Sequence, residues 1–395
     1  MTGHTAPPHS AQPARSAPST ADSTERIDRV RLTLVRLPLD TAISDAKVLT
    51  GRQKPLTEVA VLVAEIATSH GHQGLGFSYC KRAGRPALYA HAREIAPELL
   101  GEDPNDIARL WTKLVWAGAS VGRSGLATQA IAATDIALWD LKAKRAGLPL
   151  AKLLGAHRDR VRCYNTSGGF LSTPLDDLLH NAERSLARGI GGIKIKVGQP
   201  DAMTDLRRLE TVRERLGDHV PLMVDANQQW DRGTAQRIGR TLERFTLEWI
   251  EEPLDAYDAQ GHAALAASLD TPIATGEMLT SVAEHSGLIQ AGAADFLQPD
   301  APRVGGITPF LRVAALADHA GLRLAPHFAM EIHLHLAAAY PREPWVEHFE
   351  WLEPLWNERL ELRDGYMLVP NRPGLGLTLS EHAAAYRTDW VEITS

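Results

Sequence analysis

The hydrophobic pattern changes period once the chain is well under way. Over residues 27 to 38, IDRVRLTLVRLP, apolar and polar positions alternate, as in a half-buried strand. LTEVAVLVAEI, 56 to 66, reads as a second strand. Polar stretches follow each, SDAKVLTGRQK at 44 to 54 and YCKRAGRP at 79 to 86, and are expected to be loops. From ALYAHAREIAPELLG through GLATQAIAATDIALWDLKAKRAG the spacing is helical. Strands first and helices after predict a small α+β domain over residues 26–155.

From about residue 160 short apolar runs alternate with amphipathic helical stretches. GIKIKVG precedes DLRRLETVRERLG, PLMVDANQ precedes TAQRIGRTLERF, and LEWIEEP precedes GHAALAASL. PIATGEM, DFLQPDA and LRLAPHF continue the pattern, with RCYNTSG before it and WVEHFEW after it. Eight strand candidates alternating with helices over residues 156–355 predict a parallel α/β barrel rather than an open sheet. Residues 356–395 have no evident place in that barrel and are expected to return to the first domain. Residues 1–25 are rich in Ala, Pro, Ser and Thr and contain no apolar run. They are expected to be a disordered tail, not a signal peptide.

Composition narrows the class. An apolar content of 44% in 395 residues supports packed cores for two domains. A formal charge of -6 argues against a general nucleic-acid or membrane-surface protein, so an anionic ligand would need a local basic pocket. No apolar run is long enough to span a bilayer. Cys80 and Cys163 form no C-x-x-C pair, which fits a reducing compartment, and the expected location is the cytoplasm.

The candidate chemistry lies at the strand ends. Lys196, Asp225, Glu251, Glu277, Asp300, His327 and Glu347 follow successive strand candidates at intervals of 20 to 29 residues. In a barrel such positions converge at one mouth. Each has an ordinary alternative: an acid after a strand often caps the next helix, and a lone histidine often sits satisfied in a core or loop. Their common register argues for a site. Asp225, Glu251 and Glu277 are hard oxygen ligands without Cys or paired His, which favours Mg²⁺ over zinc. Asn227 shares the face of Asp225, and Glu252 is expected on the opposite side of its strand from Glu251. Lys194 and Lys196 are two apart and share a strand face. Two like charges about 4 Å apart repel by about 4 kcal/mol at an effective dielectric near 20. That repulsion and a nearby divalent cation are expected to leave Lys196 partly neutral near pH 7, hence a base, while Lys194 stays charged and binds an anion. Asp300 is placed to orient His327 and stabilise its protonated form. His333 and His335, two apart on a helix, are assigned no role.

KIK, the Asp/Glu/Glu set at 26-residue spacing, QPD and PHF resemble the enolase superfamily, mandelate racemase subgroup. SDAKVLTGRQKPLTEVA, GFSYCKRAG, WAGASVGRSG, CYNTSGGF, MVDANQQWDR, WIEEPLDAYD, ATGEMLTS, QPDAPRVGGI and LAPHFAMEIHLHLAAAYP resemble its acid-sugar dehydratases that act on galactarate and L-talarate. The resemblance runs from about residue 27 to 390. It implies a (β/α)7β modified TIM barrel with an N-terminal α+β capping domain and a C-terminal segment returning to it. It implies that Asp225, Glu251 and Glu277 hold Mg²⁺, that Lys196 takes the proton alpha to a carboxylate, and that His327, oriented by Asp300, acts as acid on the other face. Lys194, Asn227 and Glu347 would contact the substrate, Glu347 in protonated form. Asp45, Ala46, Lys47, Lys81 and Arg82 would close over its distal end. It also implies a small-molecule aldarate as partner and a symmetric homo-oligomer. A racemase or epimerase, a dehydratase of another aldarate such as glucarate, or a ligand-binding barrel without chemistry are the competing expectations.

Overall fold

The computed structural model describes residues 24–166 and 168–394. The expected tail therefore lies, up to residue 23, outside the described residues. Glu25, at its boundary, is buried, accepts hydrogen bonds from Thr68 and His72, and pairs with Arg145.

The first layer is an antiparallel sheet of β1 (Ile27–Ile43), β2 (Leu56–Thr68) and β3 (Gln73–Lys81). β3 is a correction, since part of it was expected to be loop and the rest had no assignment. Its glycines dilute the strand signal, yet packing requires them. A Cβ on Gly74 would stand 2.1 Å from the Ala137 carbonyl oxygen, and one on Gly76 2.2 Å from that of Ala133. The helix Leu126–Arg145 thus lies directly on the strand's backbone. That helix is buried on most sides between the sheet and the second domain, which accounts for its run of alanines.

Within the expected loop at 44–54, residues Ala46–Leu49 make one helical turn. Asp45 caps it, with Oδ1 accepting from the N–H groups of Lys47 at 3.0 Å and Val48 at 3.2 Å.

Eight parallel strands form the barrel: β4 (Arg160–Asn165), β5 (Gly192–Lys196), β6 (Leu222–Asp225), β7 (Ile250–Glu251), β8 (Ile273–Thr275), β9 (Phe296–Leu297), β10 (Arg323–Leu324) and β11 (Trp345–His348). They pair in chain order from β4 to β10, and β11 returns to pair with β4. Helices connect each strand to the next, which gives a (β/α)7β barrel under an N-terminal capping domain. Tyr164, Met223, Trp249, Ala274, Phe296, Ala325 and Trp345 form one buried cluster from seven of the strands or their immediate ends. Gly192 takes the place of a side chain on β5, where a Cβ would meet Met223 and Trp345 at 3.1 and 3.3 Å. This apolar plug lies just before the strand ends where the ladder residues stand.

The C-terminal segment does two things. β12 (Leu362–Arg363) and β13 (Tyr366–Leu368) make a small antiparallel pair, and β13 joins β4, so part of the segment does have a place on the barrel sheet. β14 (Arg387–Thr394) then pairs antiparallel with β1. Asp140, on the long helix of the capping domain, ties the pieces together by accepting the N–H groups of Leu75 and Leu375. Among the described residues no helix is long and apolar enough to cross a membrane.

Candidate active site

A cavity of about 290 Å³ opens between the barrel mouth and the capping sheet. Lys194, Lys196, Asn227, Glu277, His327 and Glu347 line it from the barrel. Asp45, Lys47, Lys81 and Arg82 line it from the capping domain. Asp225, Glu251 and Asp300 sit behind this lining, fully buried. Ala46 is buried against the loop after β5 and does not line the cavity.

β5 presents Lys194 and Lys196 on one face, as the strand period requires. Lys194 Nζ lies 2.6 Å from Glu251 Oε1, 2.9 Å from Glu347 Oε1 and 4.0 Å from Asp225 Oδ2. Lys196 pairs with Asp225 Oδ2. Burial alone would lower the proton affinity of Lys194, but the Glu251 and Glu347 carboxylates outweigh it and hold the ammonium charged. Lys196 sits between opposing influences. Burial lowers its pKa, but Asp225 outweighs both burial and Lys194 and raises it. The same Asp225 oxygen cannot serve an ammonium and a metal ion equally, so metal ligation would relieve this hold.

Asp225, Glu251 and Glu277 bring one carboxylate oxygen each to within 4.8 Å of the others. Asp225 and Glu251 are each anchored through one oxygen, and each pairs through the other with a lysine of β5. Asp225 Oδ1 accepts the Asn227 N–H at 2.8 Å. Glu251 Oε2 accepts Trp249 Nε1–H at 3.0 Å and Gln298 Nε2–H at 2.8 Å. Burial first, then Asp225 and Glu277 against the opposing Lys194, pushes the Glu251 carboxyl well up. Crowded acids with pre-set rotamers and no soft ligand are the donor set of a hard divalent cation. The buried Asn227 Oδ1, without a partner among the described residues, is a further oxygen beside them. The residues fit Mg²⁺.

Glu347 departs from expectation. Its Oε1 accepts Thr166 Oγ1–H at 2.9 Å and faces Lys194, while Oε2 accepts the Phe328 N–H at 3.0 Å. Burial opposes its ionisation, but Lys194 and then His327 dominate and lower the carboxyl to about 2. It is a carboxylate here, not a protonated acid. Glu252 leaves the strand in the left-handed region, φ 39°, and is buried, with Oε2 accepting from Gln228 Nε2 at 2.8 Å. Burial and then Glu277 push its carboxyl up to about 8.

Across the mouth, beyond β9 and β10, His327 Nδ1–H donates to Asp300 Oδ2 at 2.8 Å. That leaves Nε2 toward the cavity, 3.7 Å from Glu277 Oε2 and 3.4 Å from Lys81 Nζ. Asp300 Oδ1 accepts the Arg303 N–H at 3.2 Å, so the acid both starts a helical turn and holds the imidazole. His333 does structural work beside it, with Nε2 accepting the Ala301 N–H at 2.9 Å. Lys81 lies over the Phe328 ring at 4.6 Å. Burial lowers its pKa to about 8, against Glu277 and Glu347. Arg82 is committed to the loop, donating to the Lys54 carbonyl at 2.7 Å and to Asp45 Oδ2 at 3.2 Å.

Sequence reasoning missed Tyr79, Trp249 and Gln298. Each stands two residues before a ladder or capping-loop candidate, namely Lys81, Glu251 and Asp300, so the strand period was the available signal.

Residues 42–155 match the mandelate racemase/muconate lactonizing enzyme N-terminal domain, and residues 177–383 match the enolase C-terminal domain-like family. The chain is 67% identical over 381 residues to the L-talarate/galactarate dehydratase of Salmonella typhimurium, covering 96% of this chain and 95% of that protein. It is similar to the crystal structure of L-talarate dehydratase from Polaromonas sp. JS666 complexed with Mg and L-glucarate. There the TM-score is 0.92 and the identity 72%, over 94% of this chain and all (100%) of the other. The Salmonella enzyme liganded with Mg and L-lyxarohydroxamate superposes with a TM-score of 0.94 at 66% identity, over 97% and 98% of the two chains.

Proposed function

The chain belongs to the mandelate racemase/muconate lactonizing enzyme family of the enolase superfamily, and from that premise we propose that it dehydrates galactarate and L-talarate. It is a Mg²⁺-dependent carbon–oxygen lyase, and its product is a 2-keto-3-deoxy aldarate. The observation that supports the reading is the gathering of Lys196, on β5, and His327, beyond β10, in one cavity with the Asp225, Glu251 and Glu277 cluster beside it.

Asp225, Glu251 and Glu277 hold Mg²⁺, which supplies Lewis-acid stabilisation of charge on the substrate carboxylate. Lys194 remains an ammonium and stabilises the charge that develops on the same carboxylate when the alpha proton leaves. Lys196 takes that proton. The electron pair moves into the carboxylate as an ene-diolate. His327, held by Asp300, gives its Nε2 proton to the beta hydroxyl, the carbon–oxygen bond breaks, and water departs. The resulting enol becomes the keto acid. Glu347 acts as a carboxylate that fixes Lys194 and accepts from a substrate hydroxyl, as Asn227 does through its amide. Lys47 and Lys81 neutralise the distal carboxylate, and Arg82 with Asp45 braces the loop that carries Lys47. With groups able to move protons on both faces, the two diastereomers are also epimerised. A symmetric homo-oligomer is the expectation on the strength of the resemblance, which light scattering on the purified chain tests.

The deciding experiment is a Mg²⁺-dependent assay on a panel of aldarates and aldonates, read as 2-keto acid formation and followed in D₂O by NMR. Keto acid from galactarate and L-talarate is the expected result. Deuterium exchange without keto acid would move the reading to a racemase or epimerase.

A further inference from the structure

We propose that Tyr79, from the capping sheet, is a positioning residue for His327, so that the capping domain sets the geometry of the proton-donating half of the site. The proposal rests on the dehydratase reading for the reaction it serves.

Tyr79 is fully buried on β3. Its hydroxyl donates to Asp300 Oδ2, the oxygen that also receives His327 Nδ1–H. The phenol oxygen stands 3.3 Å from that Nδ1. Two donors from different domains therefore converge on one carboxylate oxygen. Its other oxygen is fixed by the Arg303 N–H. With all three donors in place the carboxylate cannot turn about its own axis, and the imidazole plane follows it. The Tyr79 ring is held in turn, edge-to-face against Phe328, with centroids 4.7 Å apart and planes at 68°. Phe328 directly follows His327 and takes a left-handed conformation, φ 65°. Backbone and side chain of the His327 segment are thus both registered against one residue of the capping sheet.

The strand period adds Lys81 to this grip. Tyr79 and Lys81 share a face of β3 and flank the imidazole, Tyr79 through Asp300 on the Nδ1 side and Lys81 3.4 Å from Nε2. Burial raises the Tyr79 hydroxyl well above its usual pKa, so it remains a donor throughout the working range. Removing the hydroxyl leaves Asp300 Oδ2 with the imidazole as its one side-chain donor, and lets the carboxylate turn.

The test is Tyr79→Phe in the full chain with Mg²⁺. Dehydration requires both Lys196 and His327, whereas alpha-proton exchange on the face of the substrate that Lys196 serves requires Lys196 alone. Dehydration is expected to fall about tenfold, the lower end of what loss of such an outer partner costs. Exchange should stay within about twofold, a ratio that general loss of structure would not produce. Equal losses in both, or loss in neither, would overturn the proposal. A second readout needs no turnover: the Nδ1-bound proton resonance of His327 in ¹⁵N-histidine-labelled protein, identified by its disappearance in His327→Asn. It should move from its wild-type position in Tyr79→Phe. A protein inactive on every aldarate would sink the substrate reading alone, and an unmoved resonance would then sink the role of Tyr79 on its own.

Discussion

Two strands, each bringing two residues to the site, divide it. β5 brings Lys194 and Lys196, and everything that holds them comes from the barrel: Asp225, Glu251 and Glu347. β3 brings Tyr79 and Lys81, which reach across a domain boundary to Asp300 and His327. The first half is held by charge, ammonium against buried carboxylate. The second is held by directed hydrogen bonds and aromatic packing. Charge tolerates small shifts of geometry, but hydrogen bonds to a shared oxygen do not. Movement of the capping domain should therefore disturb proton donation long before it disturbs proton abstraction.

The largest blow to this division is Lys196→Ala. It removes the base, and dehydration should fall by about 10³-fold or more, at the upper part of the range for general acid–base groups. Alpha-proton exchange should fall with it, and NMR in D₂O reads both. His327→Asn breaks the other half, with an expected loss of about 10²-fold in keto acid formation while exchange through Lys196 persists. If both activities vanish together in this variant, the halves are not separable. A smaller effect concerns Lys81, whose pKa is lowered to about 8, with burial the first cause. Its charge, and hence its hold on a distal carboxylate, is lost as pH rises through that value. KM should climb above pH 8 with kcat less affected, and Lys81→Arg should flatten the climb.

The smallest effect is on stability in acid. Glu347 has a folded-state pKa of about 2, below the ordinary 4.5. As pH falls, the unfolded chain takes up that proton first. The contribution of Glu347 is complete above about pH 4.5 and is lost as pH falls toward 2. Urea unfolding at several pH values should show the slope, and Glu347→Gln should reduce it.

Legibility in the sequence followed the same division. The barrel half repeats: Lys196, Asp225 and Glu251 end their strands, so a regular interval exposed them. Glu277, Asp300 and His327 stand two or three residues past short strands, and the interval still found them. The β3 half has no repeat. Tyr79 and His327 are separated by 248 positions, and only tertiary packing joins them. β3 itself was obscured by the glycines that let the long helix rest on it. The protonation of Lys196 and Glu347 was also beyond reach. It depends on which carboxylate faces which ammonium at 2 to 4 Å, and strand register alone does not fix that. The left-handed turn at Glu252, where β7 ends, carried no sequence signal.

The pairing of β14 with β1 matters to the chain as it is made. β1 is among the first described residues to be synthesised, and Arg29 waits for Thr394. Until then one edge of the capping sheet is bare, a template on which another chain's strand could add. Arginines along that edge, such as Arg31, which pairs with Glu392 at 2.6 Å, discourage wrong partners and reward the right one. A chain halted before residue 387 has all its barrel strands and still lacks this seal. For this protein, closing that edge of the capping sheet waits on β14.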